Sequence, residues 1–168
     1  MTPPTSYQIL SRWVVDTMDD RFPKRTNPRM GWYDYSTPGY YFVTICTKDK
    51  NCIFGIPGKL NNAGYIAHQA MMEISTHFQG VAVDKFVVMP NHVHAILILK
   101  DGKAKLSTVV GQYKSAVTRQ LRETGWSQQV WQTSFHDHVI RDQKGYERIW
   151  AYIDTNPIRW KDDCFYVE

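Results

Sequence analysis

The sharpest chemical feature of this chain is a pair of histidines flanking one apolar residue, His92-Val93-His94. Residues two apart on a strand point to the same face, so both imidazoles project side by side while Val93 faces the opposite layer. Two such nitrogens can share one metal ion, but the pattern alone also describes two ordinary polar residues beside a turn. Tyr113 is a second candidate. It lies on the apolar stripe of a helix, where most tyrosines simply pack with the hydroxyl bonded. As a nucleophile it needs a nearby metal or base, because an unperturbed tyrosine has a pKa near ~10. The third candidate is the segment Phe135-His136-Asp137-His138-Val139-Ile140-Arg141-Asp142. Strand alternation puts His136 and His138 on one face and Asp137 with Val139 on the other, so the segment offers one further metal ligand or is a surface strand with polar alternation. Lys114, Arg119 and Arg122, with Lys103 and Lys105 upstream, add positive charge along or near the Tyr113 helix. Such charges are most often a solvated face, yet beside a metal and a tyrosine they are well placed for phosphates.

These residues must be positioned by regular elements. Tyr40 to Thr47 is β-branched and aromatic and predicts a strand, with Cys52 to Phe54 expected to pair with it across the KDKN turn. From Asn61 to Phe78 the apolar residues Ile66, Ala67, Ala70, Met71, Ile74 and Phe78 recur at three and four, which predicts a helix packed on a sheet. VDKFVVMPNHVHAILIL reads as two strands around Pro90-Asn91, a proline and an asparagine suited to a sharp turn. Leu106 to Arg122 repeats the helical spacing, with Ser107 available to help cap it. VWQTSFHDHVI is a loop entering a strand, and KGYERIWAYI is a third helix ending before Asn156-Pro157. The order predicts an α+β sandwich with a mainly antiparallel sheet.

Composition narrows the class. With 168 residues, 43% of them hydrophobic and 14% aromatic, the chain suits one compact domain and not a disordered polymer. Its apolar runs fall far short of the ~20 residues a membrane-spanning helix needs. The start MTPPTSYQIL lacks the cationic and apolar regions of a secretory signal, so a cytoplasmic home is expected. Three cysteines without a CxxC pair argue against a disulfide framework or a thiolate zinc site, leaving free thiols. The formal charge of +4 is compatible with nucleic acid without requiring it. Residues 1–39 read as a basic arm, rich in proline and carrying Arg21, Lys24, Arg25 and Arg29, and residues 40–168 as the domain.

Several ordered segments, GYYFVTICT, DKFVVMPNHVHAILIL, GQYKSAVTRQL, VWQTSFHDHVIRD and YIDTNP, resemble the single-tyrosine HUH transposases, most closely their REP-associated relatives. The likeness runs from about Tyr33 to Trp160. It implies a ferredoxin-like or RRM-like fold in which His92 and His94 bind Mg²⁺ or Mn²⁺ and a helical tyrosine, here Tyr113, attacks DNA. Insertion-sequence members often complete the metal site with a polar residue one helical turn after the tyrosine. That position is Val117 here, which cannot coordinate a cation. His138 is the favoured substitute, with Asp137, Gln112 or water as alternatives, since hard divalent ions readily keep waters.

The resemblance further implies cleavage and rejoining of single-stranded, hairpin-forming DNA through a 5′-phosphotyrosine, in a bacterial protein that is nucleoid-associated when bound. Arg21, Lys24, Arg25, Arg29, Lys114, Arg119 and Arg141 are the expected DNA contacts. No nucleotide cofactor is expected, in keeping with the lack of a GxxxxGK loop. One nucleophile per chain makes a homodimer an expected arrangement for exchanging two DNA ends. Two rival readings are a non-catalytic RRM-like nucleic-acid-binding module and a metal-dependent phosphodiesterase that uses water.

Overall fold

A computed structural model describes residues 1–2, 34 and 36–167. The regular elements begin with β1 (Gly39–Cys46), a 3-10 turn at Lys48–Lys50, and the short strands β2 (Gly55–Ile56) and β3 (Lys59–Leu60). Helices α1 (Asn62–Met72) and α2 (Ile74–His77) lead into β4 (Val81–Met89) and β5 (His92–Leu99). Then come α3 (Leu106–Glu123), β6 (His136–Ile140), α4 (Gln143–Thr155) and a 3-10 turn at Trp160–Asp162.

Four strands form one sheet in the order β4-β5-β1-β6, every neighbouring pair antiparallel. This is the predicted α+β sandwich. The two central strands are buried on both faces, which explains their nearly continuous apolar runs, whereas edge strand β6 alternates between exposed and partly buried positions. Met89 pairs with His92, so Pro90 and Asn91 alone make the β4–β5 turn, as predicted.

The two faces of the sheet carry different cores. On one, Tyr41, Val43, Ile45, Val93, Ala95 and Leu97 pack beneath α1 and α3, through Ala67, Met71, Val109, Tyr113 and Val117. On the other, Phe42 and Ile96 pack against Tyr146, Ile149, Trp150, Tyr152 and Ile153 of α4. By strand alternation His92 and His94 share the second face with Ile96. α4 is started by Asp142, whose carboxylate accepts from Gly145 N at 2.7 Å, a side-chain cap that satisfies one open amide of the first turn.

Three local expectations differ. Cys52 to Phe54 does not pair with β1. Phe54 N instead bonds Pro90 O at 3.0 Å, and the small hairpin is made by β2 and β3. The helix expected over 61–78 is interrupted at Glu73, and α3 starts from Lys105 with no side-chain cap from Ser107. The proposed arm, with Arg21, Lys24, Arg25 and Arg29, lies outside the described residues. Cys46, Cys52 and Cys164 are free thiols. Among the described residues no helix is long and apolar enough to cross a membrane.

Candidate metal and tyrosine site

β5 delivers His92 and His94 to the α4 face of the sheet, with ring centroids 4.4 Å apart. Each is oriented from behind through Nδ1. His92 Nδ1 lies 2.8 Å from Asn91 Oδ1, and His94 Nδ1 lies 2.8 Å from Thr44 Oγ1 on the neighbouring strand. Phe42 stacks on His94 at 5.3 Å between centroids, holding the ring plane from β1. Both Nε2 atoms are therefore turned inward, towards α4 and the C-terminal segment.

The segment after α4 closes over this pair. Asp163 places Oδ2 at 3.9 Å from both Nε2 atoms, so His92, His94 and Asp163 offer one ligand atom each within 4.8 Å of one another. Phe165 lies against His92, with ring centroids 4.7 Å apart. Asp163 Oδ1 accepts from Phe165 N at 2.7 Å and so shapes the turn that brings the phenyl ring in. The result is a covered site, with His92 0% and His94 1% exposed.

From the other side α4 contributes Tyr152 and Asn156, one helical turn apart. The Tyr152 hydroxyl donates to Asp163 Oδ2 at 3.2 Å and lies 3.2 Å from His94 Nε2. Asn156 Nδ2 donates to the same carboxylate oxygen at 2.6 Å.

Two buried atoms here lack any hydrogen-bond partner: His92 Nε2 and Asn156 Oδ1. Leaving a buried acceptor unmade costs about 1–3 kcal/mol, so two of them in one pocket call for a common partner. A divalent cation is such a partner. The donor set of two imidazole nitrogens, a carboxylate and an amide oxygen fits a divalent cation, and the 3.9 Å separations lie within the span of two metal bonds of ~2.1 Å.

Electrostatics agree with ligation. Burial, followed by the neighbouring His94, holds His92 well below the ordinary imidazole range, and burial lowers His94 as well. Neutral imidazoles with free lone pairs are what a metal requires. Burial alone would raise the Asp163 carboxyl, but His94, His92 and the Phe165 N–H outweigh it and hold the group ionised. The Tyr152 phenol is pushed up by burial and then by the Asp163 charge, so in this arrangement it is a protonated donor.

Two of the expected site residues lie apart from the paired histidines. Tyr113 does not meet the histidines. It lies in the core beneath α1 and α3 on the opposite face of the sheet, 2% exposed, with its hydroxyl donating to Ala67 O at 3.1 Å. Burial raises its phenol too, and no charged group offsets this. His138 does not meet them either. It sits on edge strand β6 paired with Phe42 of β1, the strand that separates β6 from the β5 histidines. Asp137 likewise lies outside the cluster of His92, His94 and Asp163, and Gln112 is an exposed residue of α3.

Three residues that the sequence reading does not single out stand beside the histidines: Tyr152, Asn156 and Asp163. YIDTN did carry a signal, because Asn156 is a polar residue one helical turn after Tyr152, the spacing that Val117 failed to supply after Tyr113. Asp163 had none, since it lies beyond the last helix and reaches β5 from some 70 residues away in sequence.

Among the described residues the expected DNA contacts Lys114, Arg119 and Arg141 are scattered. Lys114 Nζ is bonded to the carbonyls of Gln132 and Thr133, while Arg119 and Arg122 line a groove of about 550 Å³ on the outer side of α3. Arg141 is exposed just after β6.

Known proteins resemble this one in sequence and in fold. The sequence model of the IS200-like transposases matches residues 36–156. The chain is 34% identical to an uncharacterized protein of Haemophilus influenzae, covering 86% of this chain and 94% of that one. It is 30% identical to a REP-associated tyrosine transposase of Escherichia coli K12 over 77 residues, covering 46% of this chain and 44% of that protein. Its fold is similar to the structure of a REP-associated tyrosine transposase bound to a REP hairpin, with a TM-score of 0.62 and 21% identity over 81% of this chain and 74% of that one. With a family match across most of the folded region and a paired-histidine site on the expected strand, the chain belongs to the IS200-like, single-tyrosine HUH transposases and closely resembles their REP-associated branch.

Proposed function

We propose that this protein cleaves and rejoins single-stranded, hairpin-forming DNA, with Tyr152 as the nucleophile and His92, His94 and Asn156 as the residues that hold one divalent cation, Mg²⁺ or Mn²⁺. The observation that carries this reading is the Tyr152 hydroxyl 3.2 Å from His94 Nε2, in the same pocket as the two unpartnered acceptors. A bound cation would draw charge from a non-bridging oxygen of the scissile phosphate. The Tyr152 oxygen forms the new bond to phosphorus as the bond to the 3′-oxygen breaks. The phenol proton is lost to solvent and the leaving oxygen takes one up, leaving a 5′-phosphotyrosine and a free 3′-hydroxyl. The phosphodiester energy is kept in that link, so rejoining needs no nucleotide cofactor.

Asp163 sits where a phosphate would have to approach. Its anionic oxygen already contacts Tyr152 and faces both imidazoles, and Phe165 covers His92. Entry of DNA therefore requires the segment carrying Asp163 and Phe165 to swing away. In the covered state Asp163 would be a further residue able to hold the cation, and moving its carboxylate away would make room for a phosphate.

Arg141 and the arm residues Arg21, Lys24, Arg25 and Arg29 are proposed phosphate contacts. Lys114 and Arg119 lie on the α3 side of the sheet and would meet a more distant part of a folded hairpin. A REP-like hairpin is the proposed substrate, following the similar protein seen with one, and two chains acting together would supply the two nucleophiles that exchange of DNA ends requires.

Incubation with a hairpin-bearing single strand and Mn²⁺, followed by denaturing electrophoresis, tests the reading. Cleavage with a covalent protein–DNA adduct is expected. Cleavage with no adduct would replace it with water-dependent hydrolysis, and binding without cleavage with a recognition module.

A further inference from the structure

Asn91 fills the second position of the β4–β5 turn and is 1% exposed. Its side-chain nitrogen lies 3.1 Å from Lys50 O and 2.8 Å from Phe165 O. Both neighbours are carbonyls, which only accept, so the NH₂ end of the amide must face them. The reverse orientation would set three oxygens against one another. Oδ1 is thereby directed at His92 Nδ1, 2.8 Å away. An amide oxygen only accepts, so His92 carries its proton on Nδ1 and presents the lone pair of Nε2 to the site. That Nε2 is the buried atom left without a partner.

Backbone geometry around Asn91 supports a dedicated arrangement. Thr47 N donates to Asn91 O at 2.9 Å, fixing the turn to the end of β1. Asp49 and Lys50 are held at φ 54° and 57°, left-handed values that non-glycine residues rarely adopt. Conformations of this kind are strained and persist only where the surroundings compensate. One visible compensation is the Lys50 carbonyl delivered to Asn91 Nδ2.

From this closed set of donors and acceptors we infer that Asn91 is a positioning residue that selects the metal-ligating nitrogen of His92 and, through the same amide, ties the C-terminal segment to that choice. The inference rests on the cation reading above. Partners that hold the second nitrogen of a ligating histidine typically contribute 10–100-fold to metal affinity. Asn91 differs from a simple partner in using both ends of its amide: the oxygen orients His92 while both N–H donors grip the 3-10 turn and Phe165.

The test uses the full chain and two readouts. In metal-free protein, imidazole ¹⁵N shifts report the tautomer, and His92 is expected to carry its proton on Nδ1. In Asn91→Ala the signals should move towards the Nε2–H form. Calorimetric titration with Mn²⁺ should then show affinity about 10–100-fold weaker in Asn91→Ala. Asn91→Asp keeps the acceptor for His92 but cannot offer two N–H bonds to Lys50 O and Phe165 O. It should bind Mn²⁺ within about threefold of wild type, or more tightly, while amide exchange of Phe165 and its neighbours accelerates.

A wild-type His92 protonated on Nε2 would overturn the inference even if Asn91→Ala failed to fold. So would wild-type Mn²⁺ affinity in Asn91→Ala, or an Asp variant as weak as Ala. His92→Ala separates the two levels. If it binds Mn²⁺ as wild type does, the cation reading falls and this inference with it; if it loses Mn²⁺ while Asn91→Ala does not, only the role of Asn91 is lost.

Discussion

Replacing Tyr152 with Phe deletes one oxygen and little else. The ring keeps its edge contacts with Phe42 and His94, at centroid distances of 6.1 and 5.1 Å. The deleted hydroxyl donates to Asp163 Oδ2 at 3.2 Å, a bond to a charged acceptor but a long one. Bonds to charged groups contribute about 1.5–3 kcal/mol, and the length places this one near or below the lower end. Asp163 also retains Asn156 Nδ2 at 2.6 Å and Phe165 N at 2.7 Å, so it is not left bare. The expected stability loss is therefore about 1–2 kcal/mol, or roughly 3–6 °C in Tm for a chain of this size. The chemical effect is total, since without the phenol oxygen no phosphotyrosine can form. The paired control is Tyr113→Phe, which removes a neutral bond to Ala67 O and should cost about 0.5–1.5 kcal/mol with the adduct unchanged. Both variants would be incubated with a labelled hairpin and Mn²⁺, run on denaturing gels, and melted in parallel. An adduct in Tyr152→Phe would refute the assignment, as would loss of the adduct in a folded Tyr113→Phe.

Mn²⁺ affinity should fall at least tenfold in His92→Ala and in Asn156→Ala but stay within twofold of wild type in His138→Ala, as measured by calorimetry; a His138→Ala variant as weak as His92→Ala would restore the edge strand to the site. In EDTA, stability should decline as pH drops below about 6.5, because the unfolded histidines take up protons there while His92 and His94, lowered by burial, do not. Each contributes a slope of up to about 1.4 kcal/mol per pH unit until its folded pKa is reached. His92→Phe should flatten that slope in urea melts between pH 5 and 6.5, and an unchanged slope would count against the buried neutral imidazole. Deleting residues 1–30 should weaken hairpin binding more than folding, flattening the slope of log K against log salt by about 0.7 for each single-strand phosphate the arm neutralises. An unchanged salt dependence would remove the arm from the interface.

Much of the scaffold was legible from pattern alone. β1 and β5 are central strands, and their uninterrupted β-branched and aromatic runs report burial on both faces. Pro90-Asn91 marked the turn that starts β5, so the shared face of His92 and His94 followed from a period of two. What the pattern could not say is which helix covers that face. Tyr113 and Tyr152 both sit on apolar stripes, and both are buried tyrosines with bonded hydroxyls. Periodicity identifies an inward side of a helix but not the side of the sheet it is inward to. Asp163 was illegible for another reason. It lies in a segment with neither helical nor strand period, and its place is set by tertiary bonds to Asn156 and Tyr152.

The choice between the two tyrosines can be argued from the sheet outward. Val93 belongs to the core with Tyr113, whereas Ile96 belongs to the core with Tyr152. Since β5 alternates strictly from His92 to Leu99, both histidines take the parity of Ile96. A nucleophile from α3 would have to act through the thickness of the sheet, past the buried side chains of β1 and β5. One from α4 needs no rearrangement to meet His94. The same parity explains the division of labour among the helices: α1 and α3 bury a large, mainly apolar face that stabilises the fold, while α4 covers a smaller core whose end is given over to Tyr152 and Asn156. The Tyr152 hydroxyl and the Asn156 N–H are satisfied there by Asp163, and the two acceptors left over, His92 Nε2 and Asn156 Oδ1, would be satisfied by a cation. A one-residue slip of β5 against β1 would put both histidines into the apolar core beneath α3 and Val93 into the site. The register Cys46↔His92 and Thr44↔His94 is therefore as much a part of the chemistry as the ligands themselves.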